Sequence, residues 1–158
     1  MTLPPFEHVL RDNAGDLHRY LEAGVGRDDA DDCLQEVLIA ALRAYPDLRD
    51  DSNVRGWLFT IAYRKAIDVH RATKRRRVMA EAVAGRATLV DDRPDELSDE
   101  PLWQSVRQLP PQQRAAVLHR YLHDLPYRDI GIIIGCSEAA ARQNVRAGLK
   151  SLRQEYTP

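Results

Sequence analysis

Apolar residues along this chain recur at three- and four-residue intervals, and no sustained two-residue alternation interrupts them. Phe6, Val9, Leu10, Leu17, Tyr20 and Leu21 predict one or two helices over residues 6–23, closed by Gly24 and Gly26. Asp29 is expected to cap a helix over residues 30–45 with Leu34, Val37, Leu38, Ala41 and Tyr45 inward, and Pro46 stops it. After a polar loop, a third helix is expected from about residue 54 to 76, on a stripe of Val54, Leu58, Ile61, Ala62 and Val69. Residues 79–83 are able to extend it. Residues 85–101 are acidic, polar and punctuated by proline, the composition of a linker.

Beyond the linker the helical period returns. A short helix is expected near residues 102–108. Pro110 and Pro111 open the next, where proline is tolerated in the first turn. Ala115, Leu118, Tyr121 and Leu122 are expected to face inward along it, up to His123. A short helix over residues 127–134 buries Ile130 and Ile134. Gly135-Cys136-Ser137 makes a tight turn in which glycine takes a positive φ and Ser137 caps the last helix. That helix runs to about residue 154 with Ala141, Val145, Gly148 and Leu152 on one face. The only β-branched run, residues 132–134, is too short to argue for a strand. The expected fold class is therefore all-α. Two small helical domains, residues 1–84 with three or four helices and residues 102–158, are joined by a flexible acidic linker, residues 85–101.

Charge changes the picture more than composition does. The net charge is −1, which argues against a general nucleic-acid coat. Its distribution is zoned. Asp28, Asp29, Asp31, Asp32 and Glu36 form an acidic block, and Arg64, Lys65, Arg71, Lys74, Arg75, Arg76 and Arg77 form a basic one. A second acidic block falls in the linker. The last helix is basic again through Arg142, Arg146, Lys150 and Arg153. Such zoning allows two nucleic-acid contacts and a protein contact on one chain.

The turn and helices near the C-terminus carry the most specific chemistry. A short helix, a glycine turn and a longer helix match a helix-turn-helix, which would set the second helix in the major groove, and the other reading is an ordinary helical hairpin with a solvated basic face. Arg142, Gln143 and Arg146 lie off its apolar stripe, early in the helix, where Arg can fork onto guanine and Gln onto adenine. Lys150 and Arg153 are placed for phosphate, and Tyr127 and Arg128 can touch phosphate from the bracing helix.

In the N-terminal half, Asp32, Gln35, Glu36, Ile39 and Arg43 form the outward face of the second helix. An apolar centre amid acids suits protein docking, although acids at a helix start are also favoured by the macrodipole. Trp57, Phe59 and Tyr63 are interleaved with Arg64, Lys65 and Arg71. Aromatics beside a cationic track suit unpaired bases and their phosphates, while Phe59 also fits a core position.

These segments resemble the extracytoplasmic-function sigma factors of bacterial RNA polymerase. RDDADDCLQEVLIAALRAY, from Arg27 to Tyr45, and WLFTIAYRKAIDVHR, from Trp57 to Arg71, resemble region two of that family. LPPQQRAAVLHRYLHDLPYRDIGIIIGCSEAAARQNVRAGLKSLR, from Leu109 to Arg153, resembles region four. The resemblance implies that Asp31, Asp32, Gln35, Glu36 and Ile39 dock on core polymerase, at the clamp of its largest subunit. It implies a second contact with the flap of the next largest subunit, and an anti-sigma factor as a further partner. The loop with Leu48, Arg49 and Asn53, together with Trp57, Arg64, Lys65 and Arg71, would engage the −10 element. Tyr127, Arg128, Ser137, Arg142, Gln143, Arg146 and Lys150 would serve the −35 element. Arg64 stands where relatives often carry Asn, Gly131 where they carry Ala, and Asn144, Ala147 and Leu149 where they carry Arg or Lys.

Other classes fit less well. Cys33 and Cys136 are far apart and no CxxC occurs, so neither a zinc site nor a disulfide framework is indicated. His70, His119 and His123 are expected at the surface, without partners for metal or acid–base work. No cofactor and no catalytic residue are expected. No apolar run reaches membrane-spanning length and the first residues lack a signal pattern, so the expected compartment is the cytoplasm. A stand-alone helix-turn-helix regulator would leave the second acidic zone and the aromatic helix without purpose.

Overall fold

The computed structural model describes residues 3–49, 53–84 and 101–156. The described residues form seven α-helices and no strand. They are α1 (Phe6–Val25), α2 (Arg27–Ala44), α3 (Val54–Ala84), α4 (Pro101–Gln108), α5 (Pro111–Leu122), α6 (Tyr127–Ile134) and α7 (Glu138–Tyr156). A 3-10 turn, Tyr45–Asp47, follows α2. Of the polar loop expected at residues 47–53 and the linker expected at residues 85–101, residues 50–52 and 85–100 lie outside the described residues.

Helices α1, α2 and α3 pack on one another in the N-terminal half. Gly26 ends α1 with φ +92°, a conformation in which an L side chain is strained. It also starts α2, three residues before the expected Asp29 cap: Gly26 O accepts from Ala30 N, and no side chain caps the helix. Asp28 and Asp29 therefore sit inside the first turn, where the helix dipole favours them. Gly24 is buried within α1 instead of ending it. The inner face of α2 is Ala30, Cys33, Val37 and Ala41, while Leu34, Leu38 and Tyr45 are half-buried at its margins. Phe59 and Leu58 of α3 are completely buried. Asn53 opens α3 by accepting from the Gly56 amide at 2.8 Å.

The C-terminal half is built on α5, against which α7 packs closely. Gly148 makes that approach possible, since a β-carbon there would lie 2.7 Å from Val117 Cγ2. Gly135 takes the left-handed conformation, φ +77°, and Ser137 Oγ accepts from the Ala140 amide at 3.0 Å. The glycine turn and serine cap thus form as expected. Tyr121 does not turn inward as expected: it is 64% exposed, one position before Leu122, which shares the inner side with Ala115 and Leu118.

The two halves are not separate bodies. Helices α4 and α5 pack on α1, and α6 packs on α3, so one apolar core runs through both. The surface reading of the histidines is corrected by this packing. His119 is fully buried, and His70 and His123 are half-buried, because α5 lies across α1 and α3.

Candidate nucleic-acid and protein interfaces

On α2, Asp32, Gln35, Glu36 and Ile39 are all exposed and share one face by their three- and four-residue spacing. Ile39 is 50% exposed. Leu42, one turn further on, is 57% exposed and extends the same apolar centre. The spacing that singled out Ile39 reaches Leu42 as well, so the sequence contained this signal. Asp31 lies to the side, where His18 Nε2 of α1 meets its carboxylate at 3.1 Å.

On α3 the aromatic and cationic residues divide. Trp57, Arg64 and Arg71 follow one another at seven-residue intervals, a step of about 10 Å along the helix. Arg64 and Arg71 are exposed, while Trp57 is half-buried against the ring of Tyr45, 6.0 Å away. Lys65 turns toward α2 and lies 4.0 Å from Glu36. One ion pair therefore joins a residue expected to meet DNA and one expected to meet protein. Leu48 is half-buried and Arg49 exposed. Asn53 spends its side-chain oxygen on the α3 cap. A groove between α3 and the α4–α5 corner is lined by Arg71, Lys74, Arg77 and Arg107.

On α7, Arg142, Gln143, Arg146 and Lys150 are exposed, opposite buried Ala141, Val145 and Gly148. Arg142 is drawn back. Its guanidinium lies 5.0 Å from the ring centre of Tyr127 and 3.6 Å from Glu138. Arg120 of α5 lies 4.8 Å from the same ring centre. Tyr127 is thus held by two guanidiniums, and the part played by Arg120 was missed in the sequence because it comes from a different helix. Arg128 is exposed on α6. Asn144, Ala147 and Leu149 are half-buried.

Burial pushes the Cys33 thiol up to about 11, so it stays protonated. Among the described residues no group of three or more His, Cys, Asp or Glu side chains could hold a metal ion. No helix among them is long and apolar enough to cross a membrane.

The arrangement is that of a two-part helical protein, with a helix-turn-helix in one half and, in the other, a cationic aromatic helix beside an acidic face with an exposed apolar centre. Sigma-70 region 2 matches residues 9–76, and sigma-70 region 4 matches residues 99–152. The ECF RNA polymerase sigma factor EcfG of Rhodopseudomonas palustris (strain TIE-1) is 30% identical over 128 residues, covering 79% of this chain and 70% of the relative. The RNA polymerase sigma factor SigV of Bacillus subtilis (strain 168) is 27% identical over 149 residues, covering 94% and 89%. Among solved structures, the sigma factor RpoE in complex with the anti-sigma factor NepR from Bartonella quintana superposes with a TM-score of 0.71 at 20% identity, over 94% of both chains.

The chain belongs to the extracytoplasmic-function family of RNA polymerase sigma factors. It directs promoter-specific initiation of transcription and is not an enzyme.

Proposed function

We propose that the three exposed faces divide the work of initiation. The α2 face of Asp31, Asp32, Gln35, Glu36 and Ile39, enlarged by Leu42, docks on the clamp of the largest polymerase subunit. Acids around an apolar centre suit an interface whose middle is desolvated and whose rim is charged. The line of Trp57, Arg64 and Arg71, with Leu48, Arg49, Asn53 and Lys65 nearby, borders the melted −10 strand. Flipping a base costs a few kcal/mol, offset by stacking and pocket contacts. Helix α7 reads the −35 element through Gln143 and Arg146. Arg142, Lys150, Arg128, Tyr127 and the Ser137 turn hold the phosphate backbone. Residues 1–84 and 102–158 are then two functional units, and residues 85–101 their connection.

The observation that carries this reading is the presentation of Gln143 and Arg146 on the first exposed turns of a helix whose start is set by Gly135 and Ser137. The protein works beside polymerase, in the cytoplasm. The RpoE relative is bound by an anti-sigma factor, and a partner of that kind suits this chain too. Run-off transcription with purified core polymerase on a library of promoters tests the assignment. Promoter-selective transcripts that require the chain support it. Equal transcription with and without the chain on every template refutes it.

A further inference from the structure

The contact between the two halves is built around three histidines whose bonding requires them to be neutral. His123 Nε2 of α5 donates to Asp16 O of α1 at 3.2 Å. In the neutral ring its Nδ1 is then a bare acceptor, which faces His119 Nδ1 at 3.4 Å, and His119 supplies the proton between them. That leaves His119 Nε2 without a proton. It is buried and has no partner. The His119 ring lies flat on Tyr20 of α1, centroids 4.5 Å apart, and edge-on to Phe59 of α3 at 5.2 Å. On α3, His70 Nε2 donates to Gly24 O at 2.7 Å, and its Nδ1 accepts from Arg114 of α5 at 3.3 Å. A proton on His70 Nδ1 would point at a guanidinium N–H. The third strut, Arg107 of α4, donates to Glu22 O and Ala23 O at 3.2 Å.

Burial and the guanidiniums outweigh what favours a charged imidazole here, namely the Asp16 carboxylate and the carbonyls of Asp16 and Gly24. Arg19, Asp16 and Tyr20 face the histidines from α1, Arg55 and Tyr63 from α3, Arg107 from α4, and Arg114 from α5. Asp16 is the one carboxylate among these groups, and Arg55 already holds it at 2.9 Å.

The closed form also has a size. A compact chain of this length has a radius of gyration of about 15 Å, so it is roughly 40 Å across. Promoter elements centred near −10 and −35 are about 25 base pairs apart, or about 85 Å of duplex at 3.4 Å per step. The stretch between α3 and α4 can reach at most about 60 Å when extended. A chain with its halves apart can approach the required span, and a closed one cannot.

We infer that the contact between the halves is a histidine-gated joint, which holds the free chain closed, too short to engage both promoter elements, and lets go as its histidines take up protons. The closure itself does not depend on the residue roles proposed above; only its consequence for promoter binding does. Burial lowers His119 to about 3 and His70 to about 4, and lowers His123 as well. The sign follows from linkage. The closed form binds fewer protons than the open one, so the histidines' contribution to closure is fully present above the open-state value near 6.5. It weakens as pH falls from there toward the lowered values. His119 and His70 each shift the balance toward the open form by about tenfold between pH 7.5 and 5.5, and His123 shifts it in the same direction.

Small-angle scattering of the full chain from pH 7.5 to 4.5, with circular dichroism on the same samples, tests the joint. The expected result is an increase in radius of gyration on acidification with helix content unchanged, taking up about three protons. His119→Phe keeps the ring stack and removes one titrating group, so the uptake should fall to about two and the midpoint should move lower. His123→Gln keeps a donor for Asp16 O and should act alike, which covers the case in which the phenylalanine variant does not fold. Constant dimensions down to pH 4.5, expansion only together with loss of helix, or wild-type midpoints and proton uptake in the folded variants would each overturn the inference. None of these readings involves polymerase, so they stand apart from the promoter assignment.

Discussion

A β-carbon on Gly131 would lie 2.6 Å from the carbonyl oxygen of Cys136, so the bracing helix and the turn that follows it touch backbone to backbone. Cys136 N also donates to Gly131 O at 2.8 Å. The neighbour is backbone and cannot rotate away. Gly131→Ala should therefore displace the turn, although alanine suits a helix better by roughly 0.5–1 kcal/mol. Against an overpacking cost of about 1–3 kcal/mol, the expected net loss is about 1 kcal/mol. Thermal unfolding should show a drop of about 2–4 °C. An unchanged or higher midpoint would mean that the turn yields freely.

The turn's other end rests on Ser137. Ser137→Ala removes the bond to the Ala140 amide and should cost about 1 kcal/mol, whereas Ser137→Gly should cost only a few tenths. Denaturant titration of the two variants compares them directly. Equal losses would assign the effect to backbone freedom and not to the cap.

Charge reversal at Asp32 and Glu36 should abolish capture of core polymerase while far-UV circular dichroism stays unchanged, because both carboxylates are exposed. Glu36→Lys carries an added effect, since it places a second cation beside Lys65. A pull-down with purified core reads the result, and retained binding would remove α2 as the docking face. Leu42→Ser alone should weaken capture measurably if the apolar centre extends that far.

Arg146→Ala and Arg142→Ala should behave differently. Arg146 is exposed with its guanidinium available, so its loss should relax discrimination at one −35 base by about 1–3 kcal/mol. Arg142 is held by Tyr127 and Glu138, so its loss should weaken binding of all duplexes alike and lower the salt slope by about one. Titrating labelled duplexes carrying single base changes, at several salt concentrations, separates the two. Equal loss of discrimination in both variants would make Arg142 a base reader.

Much of this protein was determined by its order of residues alone. The three- and four-residue recurrence of apolar positions yields all seven helices, because an amphipathic helix has to bury one stripe wherever it lies. The helix-turn-helix was legible for the same local reason: a glycine able to take positive φ and a serine able to cap act within a few residues. The outward row of Arg142, Gln143 and Arg146 follows from that turn and from the buried positions between them. Helix limits were less legible. The start of α2 at Arg27 depends on Gly26 ending one helix and beginning another, and the expected Asp29 cap competed with that geometry.

Only the tertiary structure decided what happens between elements far apart in the chain. The sequence could not show that Lys65 meets Glu36, that Arg120 and Arg142 close on one tyrosine, or that Asn53 caps a helix while standing in a loop expected to meet DNA. Above all it placed His70, His119 and His123 at the surface. A histidine on a helix is equally compatible with water and with a neighbouring aromatic ring, and its own period does not say which. That choice was made when α5 came to rest across α1 and α3, because burial is a property of what packs against a residue and not of the residue itself.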